Sequence, residues 1–287
     1  MERSALYRSS AFTRRGSFTA GIEGPVCDMD GNVYAVAWAG GSAGAIGKVD
    51  PQGDASLFVE LPEGSLGCGM RMNPKEGCLF VADFAGHNVL RVDLATRRVS
   101  VHAHEPRMHQ PNDLAITSGG ALFASDPNWD DASGRLWRID PDGTAVLLED
   151  GMGTTNGIEV SPDERTLYVN ETLQRTIWAY DLSDMNEIAG KRLLFRFDDH
   201  LLDGMRCDAA GNLYVTRYGK GCVAKLSSRG ELLAEIPLLG ENCTNLTFGG
   251  EDGRDCYVTM SDGGHIERFR TDAPGRCWTM WRDGRRL

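Results

Sequence analysis

The stretch Leu201-Leu-Asp-Gly-Met-Arg-Cys-Asp-Ala-Ala-Gly-Asn-Leu-Tyr-Val-Thr-Arg-Tyr218 decides the fold. It opens on a carboxylate, Asp203, set between apolar residues and a glycine. It turns at Ala210-Gly211-Asn212 and leaves as a short alternating run, Leu213 to Thr216, with Tyr214 inside it. Alternation bounded by Gly and Asn is the pattern of a strand entered from a tight turn.

The same layout recurs along the chain. The aromatic residues Tyr34, Phe80, Phe123, Tyr168, Tyr214 and Tyr257 occupy equivalent strands, at separations of 46, 43, 45, 46 and 43 residues. Each such strand is followed by a second that ends on a polar turn, as in Arg135 to Asp140 before Pro141-Asp142-Gly143. A third then follows, as in Ala145 to Leu148 or Glu231 to Ile236. Units of 40 to 50 residues with about four strands each are the mark of a β-propeller. The reading is therefore all-β: a single six-bladed β-propeller domain over residues 1–287, with four-stranded antiparallel blades. No window of a dozen residues shows a helical period. The irregular segment 173–197 reads as a long hairpin loop. Ring closure falls either to a strand within Ala5 to Thr19 or to Cys277 to Trp281.

Composition narrows the function. A net charge of -11 excludes the basic surface that nucleic acids require. No apolar run of 18 residues predicts a membrane span, and residues 1–18 mix Arg with Ser without the apolar core of an export leader. The eight cysteines form no Cys-x-x-Cys pair, against zinc-ribbon and thioredoxin chemistry. Reduced thiols and a cytoplasmic location are the expectation.

Eleven or twelve residues before each aromatic marker stand Glu23, Gly69, Asn112, Asn156, Asp203 and Asn245. In a propeller, equivalent positions of successive blades ring the axis, so two carboxylates and three amides face one channel. One Asn or Asp beside a turn is most simply a backbone cap. Two carboxylates 4 Å apart are different: they repel by about 4 kcal/mol at an effective dielectric of about 20, and a cation between them removes that cost. Gly40-Gly-Ser-Ala-Gly44 has the spacing of a nucleophile elbow but leads into a strand, Ile46 to Val49, instead of the helix that motif needs.

Five motifs in order resemble the SMP-30/gluconolactonase family of six-bladed propellers, to which squid-type diisopropyl fluorophosphatase is related. They are Glu23-Gly-Pro25; Pro111-Asn-Asp-Leu114 with Asp126-Pro127; Thr155-Asn-Gly157 with Ser161-Pro-Asp163; Leu202-Asp-Gly204 with Gly211-Asn-Leu-Tyr214; and Thr244-Asn245 with Phe248-Gly-Gly250. Together they cover about residues 20 to 262. The resemblance implies one divalent metal ion, with calcium, zinc, magnesium, manganese and iron(II) all open. Glu23, Asn156 and Asp203 would hold it, and Asn112 would be a fourth ligand or a contact to substrate or water. It implies hydrolysis of a sugar lactone, aldono- or aldaro-, to the free acid by metal-activated water, with Asp203 taking the proton. Some members, the animal ones included, carry an Arg where this chain has Gln110, so Gln110 and the preceding His109 become the substrate-contact candidates. Asn128 and Trp129, just after Asp126-Pro127, are placed as walls of the pocket. The alternatives are a metal-dependent hydrolase of an organophosphate or aryl lactone, and a non-catalytic binding propeller. A small-molecule lactone is the expected partner, with no nucleic acid and no membrane; oligomeric state is left open.

Overall fold

Each repeat becomes one four-stranded antiparallel sheet, and six such sheets stand in a ring as a six-bladed β-propeller. The computed structural model describes residues 6–42 and 44–284. Blade 1 runs Val26–Cys27, Val33–Val36, Ala45–Val49 and Ala55–Glu60 from axis to rim. Blades 2 to 5 span 67–104, 114–152, 155–196 and 201–237 with the same order. Blade 6 takes its three inner strands from 243–270 and its outermost from Ser10–Ala11, which pairs with Arg268 and Glu267. The N-terminal strand thus closes the ring, and Cys277 to Trp281 does not.

The period in the sequence has a packing cause. The six marker aromatics fall one to each of six separate apolar clusters, and each cluster joins a blade to the next. Tyr34 packs with Met70 across the first interface, Tyr168 with Met205 across the fourth, and Tyr257 with Val33 across the last. An aromatic side chain buried in this way contributes roughly 1.5–3 kcal/mol by area removed from water. One such wedge per interface is what repeats every 43 to 46 residues.

Two sequence expectations are corrected. Segment 173–197 is not a long loop. It contains the third and fourth strands of blade 4, Thr176–Leu182 and Ile188–Arg196, joined by a short turn. The outer strand is largely exposed, so it lacks the clean alternation of a half-buried strand. The second correction is a helix, Arg276–Gly284, which no periodicity announced because it is only nine residues long. Trp278 and Trp281, three positions apart and both buried, fasten it beneath the blades.

Candidate active site

The polar ring is built by a repeated irregularity of the innermost strands. In blades 2, 4, 5 and 6 the register of the first strand slips between Gly67 and Met70, Thr155 and Ile158, Leu202 and Met205, and Cys243 and Leu246. Gly69, Asn156, Asp203 and Asn245 each lie inside one of these bulges. A bulge leaves a residue out of the ladder and re-aims its side chain. In blades 1 and 3 the strand begins only after the ring residue: the Glu23 carbonyl accepts from the Val36 N–H at 3.1 Å, and the Asn112 N–H donates to the Ser125 carbonyl at 2.8 Å.

Bulges of neighbouring blades approach closely, which explains the glycine after the ring residue in blades 4 and 5. A Cβ on Gly157 would lie 2.5 Å from the Asp203 carbonyl oxygen, and one on Gly204 would lie 2.1 Å from Asn245 Cγ. Only glycine lets each ligand-bearing backbone reach its neighbour. Cross-blade hydrogen bonds then hold the arrangement. Asn170 Nδ2 donates to the Asp203 carbonyl at 2.5 Å, and Thr244 Oγ1 donates to the Ile22 carbonyl at 2.9 Å.

A cavity of about 320 Å³ opens at this end of the axis. Glu23, Asn112, Asn156 and Asp203 line it, with Trp129 and Tyr218. Ile22, Leu201 and Leu202 supply apolar wall, and Cys68, Thr172 and Thr244 complete the polar side. The structure therefore brings together the four residues expected to hold a metal, and Trp129 with them. It places His109, Gln110 and Asn128 outside the lining. The His109 and Gln110 N–H groups donate to Asp126 Oδ1 at 2.8 and 2.6 Å, folding that turn onto a buried carboxylate. Asn128 Oδ1 accepts from the Asp130 N–H at 3.1 Å and caps its own loop.

Within the ring the roles divide. Asn245 Nδ2 donates to Glu23 Oε2 at 2.9 Å, and the Gly24 N–H donates to the same oxygen. Asn245 Oδ1 is taken by the Leu246 N–H at 2.9 Å, so this amide is a support for Glu23. Asn156 Nδ2 donates to Thr172 Oγ1 at 3.0 Å, which fixes the amide and leaves its Oδ1 buried without a partner. The side chain of Asn112 has no partner among the described residues.

Burial, followed by the negative charge of Asp113, pushes the Glu23 carboxyl up to about 7. Burial, followed by the Glu23 carboxylate, pushes Asp203 well above the carboxylate range, with the Asn156 amide acting in the opposite direction. A cation held between the two acids would favour the ionised form of both. The donor set fits one: two half-buried carboxylates and an orphaned buried amide oxygen, all hard oxygens suited to calcium, magnesium or manganese. Among the described residues no three His, Cys, Asp or Glu side chains converge to make a softer site.

Beneath this layer lies a second, which the motif reading did not assign. Asp113, fully buried, accepts from Arg71 Nη1 at 3.1 Å and Arg206 Nη1 at 3.0 Å. Burial alone would raise its pKa, but the Arg206 and Arg71 guanidiniums outweigh it and hold Asp113 below the usual range. Glu159 stands 3.8 Å from Arg71 and 3.6 Å from Arg276 of the C-terminal helix. Glu159 and Arg206 each follow a ring residue by three positions, so the repeat alignment carried this signal. Arg206 is thus committed to the interior, while Tyr218 reaches the cavity.

A family model described as the SMP-30/gluconolactonase/LRE-like region matches residues 22–262. The chain belongs to this family. It is 30% identical over 290 residues to a gluconolactonase of Zymomonas mobilis subsp. mobilis, a match covering 88% of this chain and 79% of that protein. To a 6-deoxy-6-sulfogluconolactonase of Pseudomonas putida it is 29% identical over 232 residues, 78% of each. Among solved structures, a luciferin-regenerating enzyme superposes with a TM-score of 0.79 at 18% identity, covering 93% and 96% of the two chains, a likeness of fold. All eight cysteines are free, and no helix among the described residues is long and apolar enough to cross a membrane.

Proposed function

We propose that this SMP-30/gluconolactonase family member is a metal-dependent lactonase that opens a sugar lactone to its free acid. The observation that carries the reading is the meeting of Glu23, Asp203 and the unpartnered Asn156 Oδ1 in one cavity. The gluconolactonase and sulfogluconolactonase relatives support the substrate class. Glu23, Asp203 and Asn156 would hold the ion, with Asn112 as a fourth donor or as a contact to substrate. When bound, a divalent ion supplies Lewis acidity toward the lactone carbonyl and the attacking water.

The chain's own groups do the rest. Glu23, fixed by Asn245 and Gly24, supplies charge and does not turn over. The Asp203 carboxylate takes the proton of the attacking water. Asn112, with its amide uncommitted, orients the ester or the water. Trp129 and Tyr218 offer faces against which a sugar ring can lie. The apolar wall of Ile22, Leu201 and Leu202 keeps a second reading in view, the hydrolysis of a more apolar ester such as an aryl lactone.

The test is a panel of aldonolactones, aldarolactones, aryl lactones and phosphoesters, assayed with and without EDTA. EDTA-sensitive opening of a sugar lactone, restored by a divalent ion, is the expected outcome. Activity on aryl lactones or phosphoesters alone would establish the second reading. No metal-responsive hydrolysis of any substrate would overturn both.

A further inference from the structure

The cavity that receives the substrate is one-sided in charge. Its lining holds two carboxylates, Glu23 and Asp203, and no Lys, Arg or His among the described residues. A divalent ion held by that pair would bring it to neutrality and leave no positive charge over for a remote group on the substrate.

Most of the cations near the lining residues in sequence are spoken for; of the others, Arg175, three positions after Thr172, gives Nη1 to the Asp198 carbonyl at 2.8 Å, and His109, whose backbone N–H binds Asp126, stands outside the lining. Next to Tyr218, Arg217 Nη2 lies 2.6 Å from Asp199 Oδ1, and Lys220 Nζ lies 3.1 Å from Asp199 Oδ2 and 2.8 Å from Glu235 Oε1. His200, beside Leu201, faces the same Asp199 at 3.3 Å. On the loops before Asn112 and after Trp129, Arg107 is doubly hydrogen-bonded to Glu105 at 2.9 Å, and Arg135 pairs with Asp150 at 3.1 Å. Arg71 and Arg206 are sealed below against Asp113.

Resting on the lactonase reading above, we propose that this site is specific for uncharged lactones and rejects lactones that carry a second acidic group, aldaric or sulfonated. A carboxylate or sulfonate brought into this cavity would meet apolar wall, amides and hydroxyls, and would lose hydration without gaining a counter-charge. The net charge of -11 adds a repulsive field for any anion approaching the mouth.

The test compares kcat/KM for an aldono-1,5-lactone and the matching lactone with a C6 carboxylate or sulfonate, at low and high salt. The neutral substrate is expected to win by at least about 100-fold, the size of an unpaired buried charge. The gap should narrow as salt rises, because screening acts only on the anion. Binding titrations with the two corresponding lactams, which lack the ester, should show the same order without any turnover. Leu201→Arg places a cation on the wall and should raise the acidic-to-neutral ratio at least about tenfold through a new ion pair. Equal rates and equal lactam affinities for the two classes would overturn the selectivity and leave the lactonase reading intact. Lactams discriminated by charge while neither lactone is opened would overturn the lactonase reading alone. A folded Leu201→Arg protein with an unchanged ratio would also count against the proposal; if that variant does not fold, the wild-type and lactam comparisons decide.

Discussion

Asn245 Nδ2 stands 2.9 Å from Glu23 Oε2, although 222 positions separate the two residues in the chain. The first and last blades therefore meet in the site itself, and the amide holds the carboxylate that begins the ring. Replacing Asn245 with Leu removes this support and leaves the candidate ligands in place. Metal affinity is expected to fall about 10- to 100-fold, the usual cost of losing a group that orients a ligand. Titration of the metal-free protein with calcium or manganese, followed by calorimetry, checks this. Unchanged affinity would mean that Glu23 needs no support.

The two carboxylates are assigned different tasks, and conservative replacements test them. Glu23→Gln should lose both bound metal and activity, because a neutral amide cannot replace the charge. Asp203→Asn should lower kcat/KM by at least about 1000-fold, since it removes a ligand and the proton acceptor together. Both variants should keep the circular-dichroism spectrum of the parent, and relief of charge repulsion should make them no less thermostable in EDTA. A near-parental rate in Asp203→Asn would refute its role as base.

Ring closure depends on Glu267, whose side chain is fully buried. It accepts from Ser9 Oγ at 2.6 Å, the Leu239 N–H at 2.9 Å and the Gly240 N–H at 3.0 Å. Burial acts to raise its pKa, but His265 and these donors outweigh it and hold the carboxyl below 4.5. A depressed folded-state pKa contributes stability that is present above the unfolded value and lost as pH falls through the folded one. Acidification below about pH 4.5 should therefore loosen the closure. Glu267→Gln should cost about 2 kcal/mol at pH 7 and flatten the acid limb of stability against pH. Urea denaturation from pH 3 to 7 measures both.

The C-terminal helix is anchored through one guanidinium. Arg276 donates to the Ser161 carbonyl at 3.1 Å, the Ile116 carbonyl at 2.8 Å and Glu164 Oε1 at 2.8 Å, with Glu159 at 3.6 Å. Arg276→Met leaves a buried carboxylate and two carbonyls short of a donor. A loss of about 3–5 kcal/mol is expected. Arg276→Lys, which keeps the charge but not the fork, should lose less. Equal stability of the Met variant in thermal unfolding would show that the helix is not held this way.

Much of this molecule is legible in its sequence. The aromatic spacing identified the blades because one ring per interface must be buried, and burial is periodic when the unit repeats. The polar positions 11 or 12 residues upstream identified Glu23, Asn112, Asn156 and Asp203, since equivalent positions of a closed ring face one axis. The family motifs pointed to the same residues independently.

Other features depend on meetings that no local pattern encodes. The sequence did not distinguish Asn245 as a support from Asn156 as a donor, because the difference lies in which neighbour takes each amide. It did not show Asp113 between Arg71 and Arg206, 42 and 93 positions away. Gln110 and His109 were candidates because some family members carry an Arg at the Gln110 position, yet their backbone N–H groups bind Asp126 and neither residue lines the cavity. The choice of Ser10–Ala11 over Cys277 to Trp281 for closure was open until pairing with Arg268 and Glu267 was seen. The sequence by itself therefore determined the repeat and the chemistry offered to the axis, both set by short-range alternation and spacing. The tertiary structure alone decided which of those groups remain free to bind, because that depends on hydrogen bonds between blades far apart in the chain.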